Sequence, residues 1–317
     1  MRSIELGPDA TLGDAAAQLS QAHLVAEPWL FHMYALAMGA APDLRHGTVL
    51  LRDSMRPREL LQRIASGYGQ TAVKVTLPEG YTRFEVAERL AAWNVVGRDA
   101  FLAVSSDPAV LASLGIDGPT AEGYLYPDTY EFLDQSDAEQ VLRRLVRTGQ
   151  QRLDALFADP ARPVQLPTEL GLDRHQIIIL ASVVEKEAAV TDEQPLIAGV
   201  FLNRLRDPDF KPKRLQADPT VAYGCLLQPT LDSCRSFDGR RVTRRMTSDA
   251  NNLYNTYRIE GLPPGPIANP GLSAVAAVLF PAEHDYLYFV ARGGGRHRFS
   301  ATLSEHNGAV DALRRLQ

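Results

Sequence analysis

The sequence predicts an α+β protein, and three observations lead to that fold class. Segments with strand and helix patterns mix along the chain without a regular β-α-β alternation, which favours α+β over a doubly wound sheet. The chain has 317 residues, of which 45% are hydrophobic and 22% are charged, an ordinary globular composition. This length corresponds to about two domains, and no internal repeat or low-complexity tract interrupts the pattern.

The first 70 residues are predicted to form a small unit of strands and helices. Helix 11–21 is amphipathic, because its apolar residues recur on one face. In order, the predicted elements are a strand at 4–6, helices at 11–21 and 28–38, a turn and strand at 46–51, and a helix at 57–66 that ends at Gly67. We place the boundary at segment 67–70, between domains at 1–70 and 71–317.

The second predicted domain opens with a strand that leads into a capped helix. Strand 73–77 alternates apolar and polar residues and is followed by a turn at 78–81. Thr82 and Glu85 match the capping box of a helix N-terminus. Further helices are predicted at 99–105, 108–114, 137–158, 175–189, 194–205, 272–279 and 304–316, and a strand at 286–291. Segment 122–132 is polar and aromatic, and the stretch before the helix at 272 is rich in turns.

Composition excludes several classes of protein. The chain has 33 Lys and Arg residues against 38 Asp and Glu residues, a net charge of -5, which argues against a dedicated nucleic-acid binder. Cys225 and Cys234 are too few for a disulfide scaffold, and no Cys/His cluster has zinc spacing. Nucleotide-binding, serine-hydrolase and HExxH motifs are absent. We therefore predict neither a metal nor a cofactor.

No segment of the sequence has the pattern of a membrane span. The longest uncharged stretch, 261–282, contains several prolines that would break a spanning helix. The first residues are not followed by the apolar region of a signal peptide. Either the protein is cytoplasmic or its export or anchor segment has been removed, and composition does not choose between these.

Helix 175–189 carries the residue best suited to acid–base chemistry. Its run at 177–184 is apolar or small throughout, so the helix is expected to be covered on most sides. Glu185 lies one turn after Ala181, on a face expected to be buried or to line a cleft. A carboxyl group there tends to keep its proton at neutral pH, as a general acid requires. The alternative is that Glu185 pairs with an arginine in a packed core. Glu187 lies about 200° around the helix and is expected to be solvated.

Three polar segments are expected to accompany this helix. Segment 254–257 supplies an amide, a hydroxyl and two rings, and segment 261–271 is a rigid, sharply turned loop. Segment 215–224, a polar loop that runs into a short helix, supplies the hydrogen-bonding groups of Gln216, Thr220 and Tyr223. Together the three segments offer aromatic, amide and hydroxyl groups with little chemistry for metals or phosphates. That combination suits a neutral or weakly charged sugar polymer.

Ordered motifs through the chain carry a resemblance to a known family. They are EGYLYPDTY at 122–130, LASVVEKE at 180–187, VFLNRL at 200–205, LQADPTV at 215–221, YNTY at 254–257, and GLPPGPI at 261–267 with Asn269 and Pro270. Through these motifs the chain resembles the endolytic murein transglycosylase family (MltG, or YceG-like) from about residue 73 to its end. The first 70 residues look like that family's LysM-like subdomain. The resemblance thus implies a LysM-like unit at 1–70 and a YceG-like catalytic domain at 71–317.

The resemblance implies a lytic transglycosylase that cuts within the glycan strands of peptidoglycan. The first Glu of the VEKE string is the family's catalytic acid/base, which places that role on Glu185. Glu185 is expected to protonate the oxygen of the MurNAc–GlcNAc bond, and then to take the proton of the MurNAc 6-hydroxyl as a 1,6-anhydro ring closes. Because that nucleophile is intramolecular, no second carboxylate is expected to be needed.

Localisation and partners are also implied by the resemblance. Family members are held at the periplasmic face of the inner membrane by one N-terminal helix and work beside peptidoglycan synthases. We therefore expect a periplasmic protein whose anchor has been trimmed from this sequence. Its expected partners are peptidoglycan strands and a synthase, with no nucleic acid.

Eight residues are predicted to bind substrate: Glu122, Tyr124, Tyr126, Gln216, Thr220, Tyr223, Asn255 and Tyr257. The tyrosines are expected either to stack on sugar rings or to pack in the interior with a bonded hydroxyl. Glu122 has the alternative role of bracing the turn that follows it, and Gln216 and Asn255 have that of supporting the residues that touch the substrate. Asp218 is expected to cap the helix that opens at Pro219 rather than to act in catalysis.

Cys225 and Cys234 bracket a loop that the family pattern does not require. In an oxidising periplasm they are expected to form a disulfide, which stabilises by about 2–3 kcal/mol; in a cytoplasmic protein they would be free thiols. The four arginines within 240–245 are expected to lie on a solvated face. Their alternative role is to meet anionic peptide stems or lipid headgroups.

Two other functions remain open from the sequence. A hydrolytic muramidase would share Glu185 but use water, and the absence of 1,6-anhydroMurNAc ends would identify it. A non-catalytic peptidoglycan-binding scaffold would use the N-terminal unit for binding and keep Glu185 in a structural ion pair.

Overall fold

A computed structural model describes residues 2–7, 10–39, 44, 47–51, 54–65, 72–158 and 170–315. The strands are β1 (Arg2–Leu6), β2 (Gly47–Leu51), β3 (Ala72–Thr76), β4 (Thr129–Leu133), β5 (Tyr288–Gly293) and β6 (Arg296–Ser300). The helices are α1 (Leu12–Gln21), α2 (Pro28–Ala37), α3 (Pro57–Ala65), α4 (Arg83–Ala92), α5 (Arg98–Val104), α6 (Pro108–Ser113), α7 (Ala138–Phe157), α8 (Arg174–Glu187), α9 (Gln194–Arg206), α10 (Asp218–Leu227), α11 (Arg244–Ser248), α12 (Leu272–Leu279) and α13 (Leu303–Arg314), with a short 3₁₀ helix at Thr191–Glu193 before α9.

The chain divides into two compact units. The first comprises Met1–Val73 with Leu133–Gln135, and the second comprises Lys74–Phe132 with Ser136–Gln317. The sequence-predicted boundary at 67–70 lies outside the described residues, and the assignment of the first unit as LysM-like stays a prediction.

In its described residues, the first unit has a two-stranded antiparallel sheet and three helices. Strands β1 and β2 pair antiparallel, with Ile4 opposite Val49. Thr11 and Asp14 form a capping box that starts α1. The apolar faces of the strands and helices close over a core that includes Ile4, Leu6, Leu19, Phe31, Val49, Leu51, Leu60 and Ile64.

The core of the second unit forms around α8, α9 and α12. Helix α12 packs against both α8 and α9. All three helices are apolar over much of their circumference, as helices surrounded by protein are. Their buried side chains include Ile177, Leu180, Val184, Ile197, Phe201, Val275, Val278 and Leu279. This core supplies the rigid base on which the polar groups described below are held.

The described residues form two more small sheets. Strand β3 pairs with β4, and β5 pairs antiparallel with β6. Gly293, Gly294 and Gly295 all have positive φ, which lets the β5–β6 hairpin turn tightly. The register shifts between Ala291 and Gly293, where the hairpin has an irregularity.

The α+β fold class is confirmed, and most predicted elements lie within a few residues of the observed ones. Helix α12 has the predicted bounds, and the Thr82–Glu85 capping box is present. Strands β4 and β6 were missed. In β4 the alternation of exposed and buried residues is real, with Tyr130 and Phe132 inside, but it is short and surrounded by polar residues. No helix in the described part of the chain is long and apolar enough to cross a membrane.

Candidate active site

Helix α8 holds Glu185 at the edge of the buried core. Asp173 caps the helix, and its carboxylate accepts the Gln176 N–H at 2.8 Å. The residues from Ile177 to Val184 are all buried, and Glu185 directly after them is half-buried. The apolar run therefore fixes the helix and leaves the Glu185 carboxyl group at the boundary between protein and solvent.

The Glu185 carboxylate contacts the N-terminus of α12. Its Oε2 atom accepts the N–H of Gly271, the N-cap residue, at 3.2 Å. The positive end of the helix dipole lies there and stabilises negative charge. Gln194, the first residue of α9, places its Nε2 atom 3.5 Å from the same oxygen. The Gln194 Oε1 atom is buried and has no hydrogen-bond partner among the described residues.

The surroundings of Glu185 favour its protonated form. Burial has the largest effect and raises the pKa of the Glu185 carboxyl group. The hydrogen bond from Gly271 opposes this effect, the negative charge of Glu79 adds to it, and the positive charge of Lys186 opposes it. No arginine in the described chain forms an ion pair with Glu185, so the described residues give no support to the alternative of a buried Glu–Arg pair. A raised pKa in a half-buried carboxyl group suits a general acid.

The turn between β3 and α4 lies directly against Glu185. The Gly80 N–H donates to the Asn269 carbonyl at 2.9 Å, and Lys186 Nζ donates to the Gly80 carbonyl at 3.1 Å. Gly80 has a φ of +74°, a conformation that favours glycine. A Cβ atom on Gly80 would lie 3.5 Å from Glu185 Cγ. The turn therefore forms one wall beside the carboxyl group.

The same turn brings in a second carboxylate, from Glu79. A Cβ atom on Gly271 would fall only 2.0 Å from Glu79 Oε1, so the carboxylate occupies the space that a larger residue would fill. Residues 78–81 were predicted only as a turn. The available signal was an acidic residue inside a Pro–Gly turn, which by itself does not indicate chemistry.

Glu122 is a buried carboxylate that accepts hydrogen bonds from several segments of the chain. Its side chain is 2% exposed. Its carboxylate accepts the Arg83 N–H at 2.9 and 3.0 Å, the Tyr223 hydroxyl at 2.9 Å and the Asn269 side-chain amide at 2.9 Å. Burial raises the pKa of Glu122 to about 7, against the lowering effect of the bonds from Arg83 and Tyr223. The prediction that Glu122 binds substrate finds no support in this placement.

Three more of the predicted substrate-binding side chains are also buried and bonded inside the protein. The Thr220 hydroxyl lies 2.8 Å from the Thr256 hydroxyl and 2.6 Å from the Ala217 carbonyl. Tyr223 bonds to Glu122, as described above, and packs edge-on against Tyr254. Asn255 is fully buried and donates to the carbonyls of Met246, Thr247 and Asp249. These side chains form hydrogen bonds within the protein and hold the loops in place. Their burial does not favour direct contact with substrate.

The other four predicted substrate residues keep exposed surface. Gln216 is exposed, with a φ of +55°. Tyr124 is half-buried, with its hydroxyl 2.6 Å from His175 Nδ1 and its ring edge-to-edge with the imidazole. Tyr126 is half-buried and lines a small cavity with Tyr124. Tyr257 is half-buried and donates its hydroxyl to Asp218 at 2.7 Å. Substrate contact by these four stays a prediction.

Two predictions for neighbouring acidic residues are wrong. Asp218 is the first residue of α10 rather than its cap, since Ala217 occupies the N-cap position and no side chain caps the helix. Glu187 is half-buried and not solvated, because the end of α8 packs near Arg204. Burial raises the pKa of Glu187 to about 7; Asp218 adds to this effect and Arg204 opposes it.

The remaining sequence candidates lie on α10, α11 and the loop between them. Cys225 and Cys234 form a disulfide, and the two residues are buried with Val221 and Met246. All four arginines within 240–245 are exposed. In the described part of the chain, no group of three or more His, Cys, Asp or Glu side chains could hold a metal ion.

Comparisons with known proteins place the chain in a family. A protein of Bacillus subtilis named endolytic murein transglycosylase is 27% identical over 326 residues, covering 98% of this chain and 84% of that protein. A Streptococcus pneumoniae protein of the same name is 28% identical over 86% of this chain, which spans about half (51%) of that protein. A solved YceG-like protein of Listeria monocytogenes is 30% identical, with a TM-score of 0.62 over 97% of this chain and 98% of that chain.

The match to a family model extends over nearly the whole chain. The model describes the YceG-like family, and it covers residues 4–312. This range includes Glu185, the Glu79 turn and Gly271, so the candidate active site lies within the matched region. The chain belongs to the YceG-like family.

Proposed function

We propose that the protein is an endolytic lytic transglycosylase that cleaves the MurNAc–GlcNAc bond within peptidoglycan strands. The observation that carries this proposal is Glu185: a half-buried carboxyl group with a raised pKa, held by Gly271 at a helix N-terminus and free of any arginine partner in the described chain. The names of the relatives support the reaction and the substrate class.

Glu185 acts first as an acid and then as a base. Its carboxyl proton passes to the glycosidic oxygen, and the bond between that oxygen and the MurNAc C1 atom breaks, with the electron pair leaving on the GlcNAc 4-oxygen. The MurNAc ring becomes positively charged and oxocarbenium-like. The MurNAc 6-hydroxyl oxygen then bonds to C1, and its proton passes to the Glu185 carboxylate. The cycle returns Glu185 to its protonated form and leaves a 1,6-anhydroMurNAc end and a free GlcNAc 4-hydroxyl.

The groups around Glu185 support both halves of this cycle. Burial keeps the carboxyl group protonated before the bond breaks. After proton transfer the carboxylate is negatively charged, and the Gly271 N–H at 3.2 Å stabilises it at the N-terminus of α12. Gln194 Nε2, 3.5 Å away, limits the positions that the same oxygen can take.

The test is digestion of purified glycan strands by wild type and a Glu185→Gln variant, with mass analysis of the strand ends. Glutamine has the same shape but cannot deliver the proton, so we expect cleavage to be lost while the thermal unfolding midpoint is kept. Glu88→Gln is a matched control, because Glu88 is an exposed carboxylate of the same unit whose ion pair in the described chain is with Arg98, 3.7 Å away. Cleavage by a folded Glu185→Gln protein at the wild-type rate would refute the assignment.

A hydrolytic muramidase is the second candidate, and one observation favours it. Glu79 supplies a second carboxylate near Glu185, and enzymes that hydrolyse glycosidic bonds usually use two. The same digestion separates the two reactions, since hydrolysis gives reducing MurNAc ends and ring closure gives 1,6-anhydro ends. A non-catalytic scaffold would give neither.

We further propose that the protein works at the periplasmic face of the inner membrane, beside a peptidoglycan synthase. The Cys225–Cys234 disulfide supports an oxidising compartment, and the proposed substrate lies there. The test is fractionation of cells that express the natural gene, with crosslinking to identify neighbours. Recovery in the cytosol with reduced cysteines would contradict the proposal.

A further inference from the structure

The turn that carries Glu79 is fixed on both sides. On its C-terminal side, the Gly80 N–H and the Tyr81 carbonyl both bond to Asn269: Gly80 donates to the Asn269 carbonyl at 2.9 Å, and the Asn269 N–H donates to Tyr81 at 2.8 Å. On its N-terminal side, the Leu77 N–H donates to the Asp128 carbonyl at 2.9 Å. The backbone at Glu79 therefore has a defined position, which determines where its side chain starts.

The Glu79 carboxylate itself is unpaired although its backbone is held. Within the described part of the chain it makes no hydrogen bond and no ion pair, and the residue is exposed. Short acidic and amide side chains in turns often bond to nearby backbone N–H groups. Glu79 instead extends to the Cα atom of Gly271, where a Cβ atom would be 2.0 Å from its Oε1 atom. A glycine at 271 is what leaves room for this carboxylate.

Glu79 and Glu185 flank the same residue. Glu185 Oε2 lies 3.2 Å from the Gly271 nitrogen, and Glu79 Oε1 lies 2.0 Å from the missing Cβ position of Gly271. With ordinary backbone geometry the two oxygens are at most about 8 Å apart. That separation leaves room for one sugar ring or less between them. The structure therefore holds two carboxyl groups, one half-buried and one exposed, at a single place on the surface.

We propose, on the basis of the proposed function, that Glu79 is a second carboxylate of the active site and that its negative charge stabilises the positive charge of the MurNAc ring as the glycosidic bond breaks. The oxocarbenium-like ring is the only cationic species in the reaction, and it forms next to the acid that has just lost its proton. Glu79 transfers no proton and forms no bond in this role. Its effect is on the transition state and not on the ground state, since the intact strand carries no positive charge at that ring.

The first test measures cleavage rates of purified glycan strands by Glu79→Gln, Glu79→Asp and Gly271→Ala, beside wild type and the Glu88→Gln control. We expect Glu79→Gln to lower kcat by at least about tenfold, with KM changed little and the strand ends still 1,6-anhydro. Glu79→Asp keeps the charge and should recover part of the rate. Gly271→Ala keeps Glu79 and the N–H to Glu185 but displaces the Glu79 carboxylate, so its rate should fall between those of wild type and Glu79→Gln.

The second test does not depend on activity. The Glu185 side-chain carboxyl carbon is followed by NMR titration in wild type, Glu79→Gln and Glu88→Gln. Removing the negative charge of Glu79 should lower the pKa of Glu185, whereas Glu88→Gln should leave it unchanged. An unchanged Glu185 pKa in folded Glu79→Gln would overturn the proposal, even if wild type showed no cleavage.

The outcomes also separate this proposal from the proposed function. Loss of cleavage in Glu185→Gln with wild-type rates in Glu79→Gln would overturn the role of Glu79 alone. If wild type gives reducing ends and Glu79→Gln gives no product at all, then Glu79 activates water. That result would overturn the proposal that Glu79 stabilises charge during ring closure. A tenfold or larger loss in Glu79→Gln, partly recovered in Glu79→Asp, supports the proposal.

Discussion

The buried carboxylate of Glu122 accepts a hydrogen bond from the side-chain amide of Asn269, with 2.9 Å between Oε1 and Nδ2. Asn269 also receives the Leu125 N–H on its Oδ1 atom at 2.8 Å and binds the Gly80–Tyr81 backbone. One buried amide thus joins the loop before α12, the segment after Glu122 and the turn that carries Glu79. These are segments that come from distant parts of the sequence, and the candidate site depends on their being held together.

Replacing Glu122 by alanine should destabilise the second unit. Three donors, the Arg83 N–H, the Tyr223 hydroxyl and the Asn269 amide, would lose a buried acceptor. Leaving such groups unsatisfied costs more than the bonds themselves contribute. We expect the free energy of unfolding to fall by about 2–4 kcal/mol, measured by urea denaturation. A loss below about 0.5 kcal/mol, the range of ordinary surface substitutions, would contradict a stabilising role for the buried Glu122 carboxylate.

The pH dependence of stability should also report on Glu122. Its pKa is raised to about 7 in the folded protein, from 4.5, mainly by burial. The folded state therefore favours the protonated carboxyl group, so this contribution to stability is complete below pH 4.5 and is lost as pH rises through about 7. Its size is about 3 kcal/mol.

Glu122→Gln isolates this contribution from that of Glu187, whose pKa is also raised to about 7 by burial. Unfolding curves of wild type and Glu122→Gln from pH 4 to pH 8 should show a steeper loss of stability in wild type. Parallel pH profiles for the two proteins would show that Glu122 has the same pKa in both the folded and the unfolded chain.

The partly buried position of Glu185 was predictable because its signal is local. An apolar run over two turns of α8 ends in a carboxyl group, and the burial that raises its pKa follows from the helix alone. The groups that surround it have no local signal. Gly271 lies 86 positions further along the chain, and Glu79 lies on a turn of the β3–α4 connection. Only the packing of α12 against α8 brings them together.

The polar loops carry no comparable local signal. Thr220 and Asn255 were predicted to bind substrate because hydroxyl and amide groups in turns suit a sugar ligand. Both are fully buried, and both bond to the loops themselves. Irregular backbone inside a protein needs internal partners for its carbonyl and N–H groups. A sequence does not show whether a polar side chain meets that need or faces a ligand.

Removing the disulfide should lower stability without changing the chemistry. Cys225 and Cys234 close a loop with a sequence separation of 9, and a closed loop of that length stabilises by about 2–3 kcal/mol. We expect the double variant Cys225→Ser with Cys234→Ser to lose about that much free energy of unfolding. Its cleavage rate below the unfolding transition should equal that of wild type, since neither cysteine contacts Glu185. Wild type assayed with a reductant should match the double variant.

The pH dependence of cleavage should follow the protonation of Glu185, with opposite shifts for two neighbours. Burial raises the pKa of Glu185; Glu79 raises it further and Lys186 lowers it. Because the first step needs the protonated acid, the rate should fall as pH rises through that pKa. Lys186→Met removes a positive charge, so the pKa should rise and the falling limb of the rate profile should move to higher pH. Glu79→Gln should move the same limb to lower pH. Initial rates measured from pH 4 to pH 9 test both shifts. If the falling limbs of the two variants moved in the same direction, direct charge interactions would not set the protonation of Glu185.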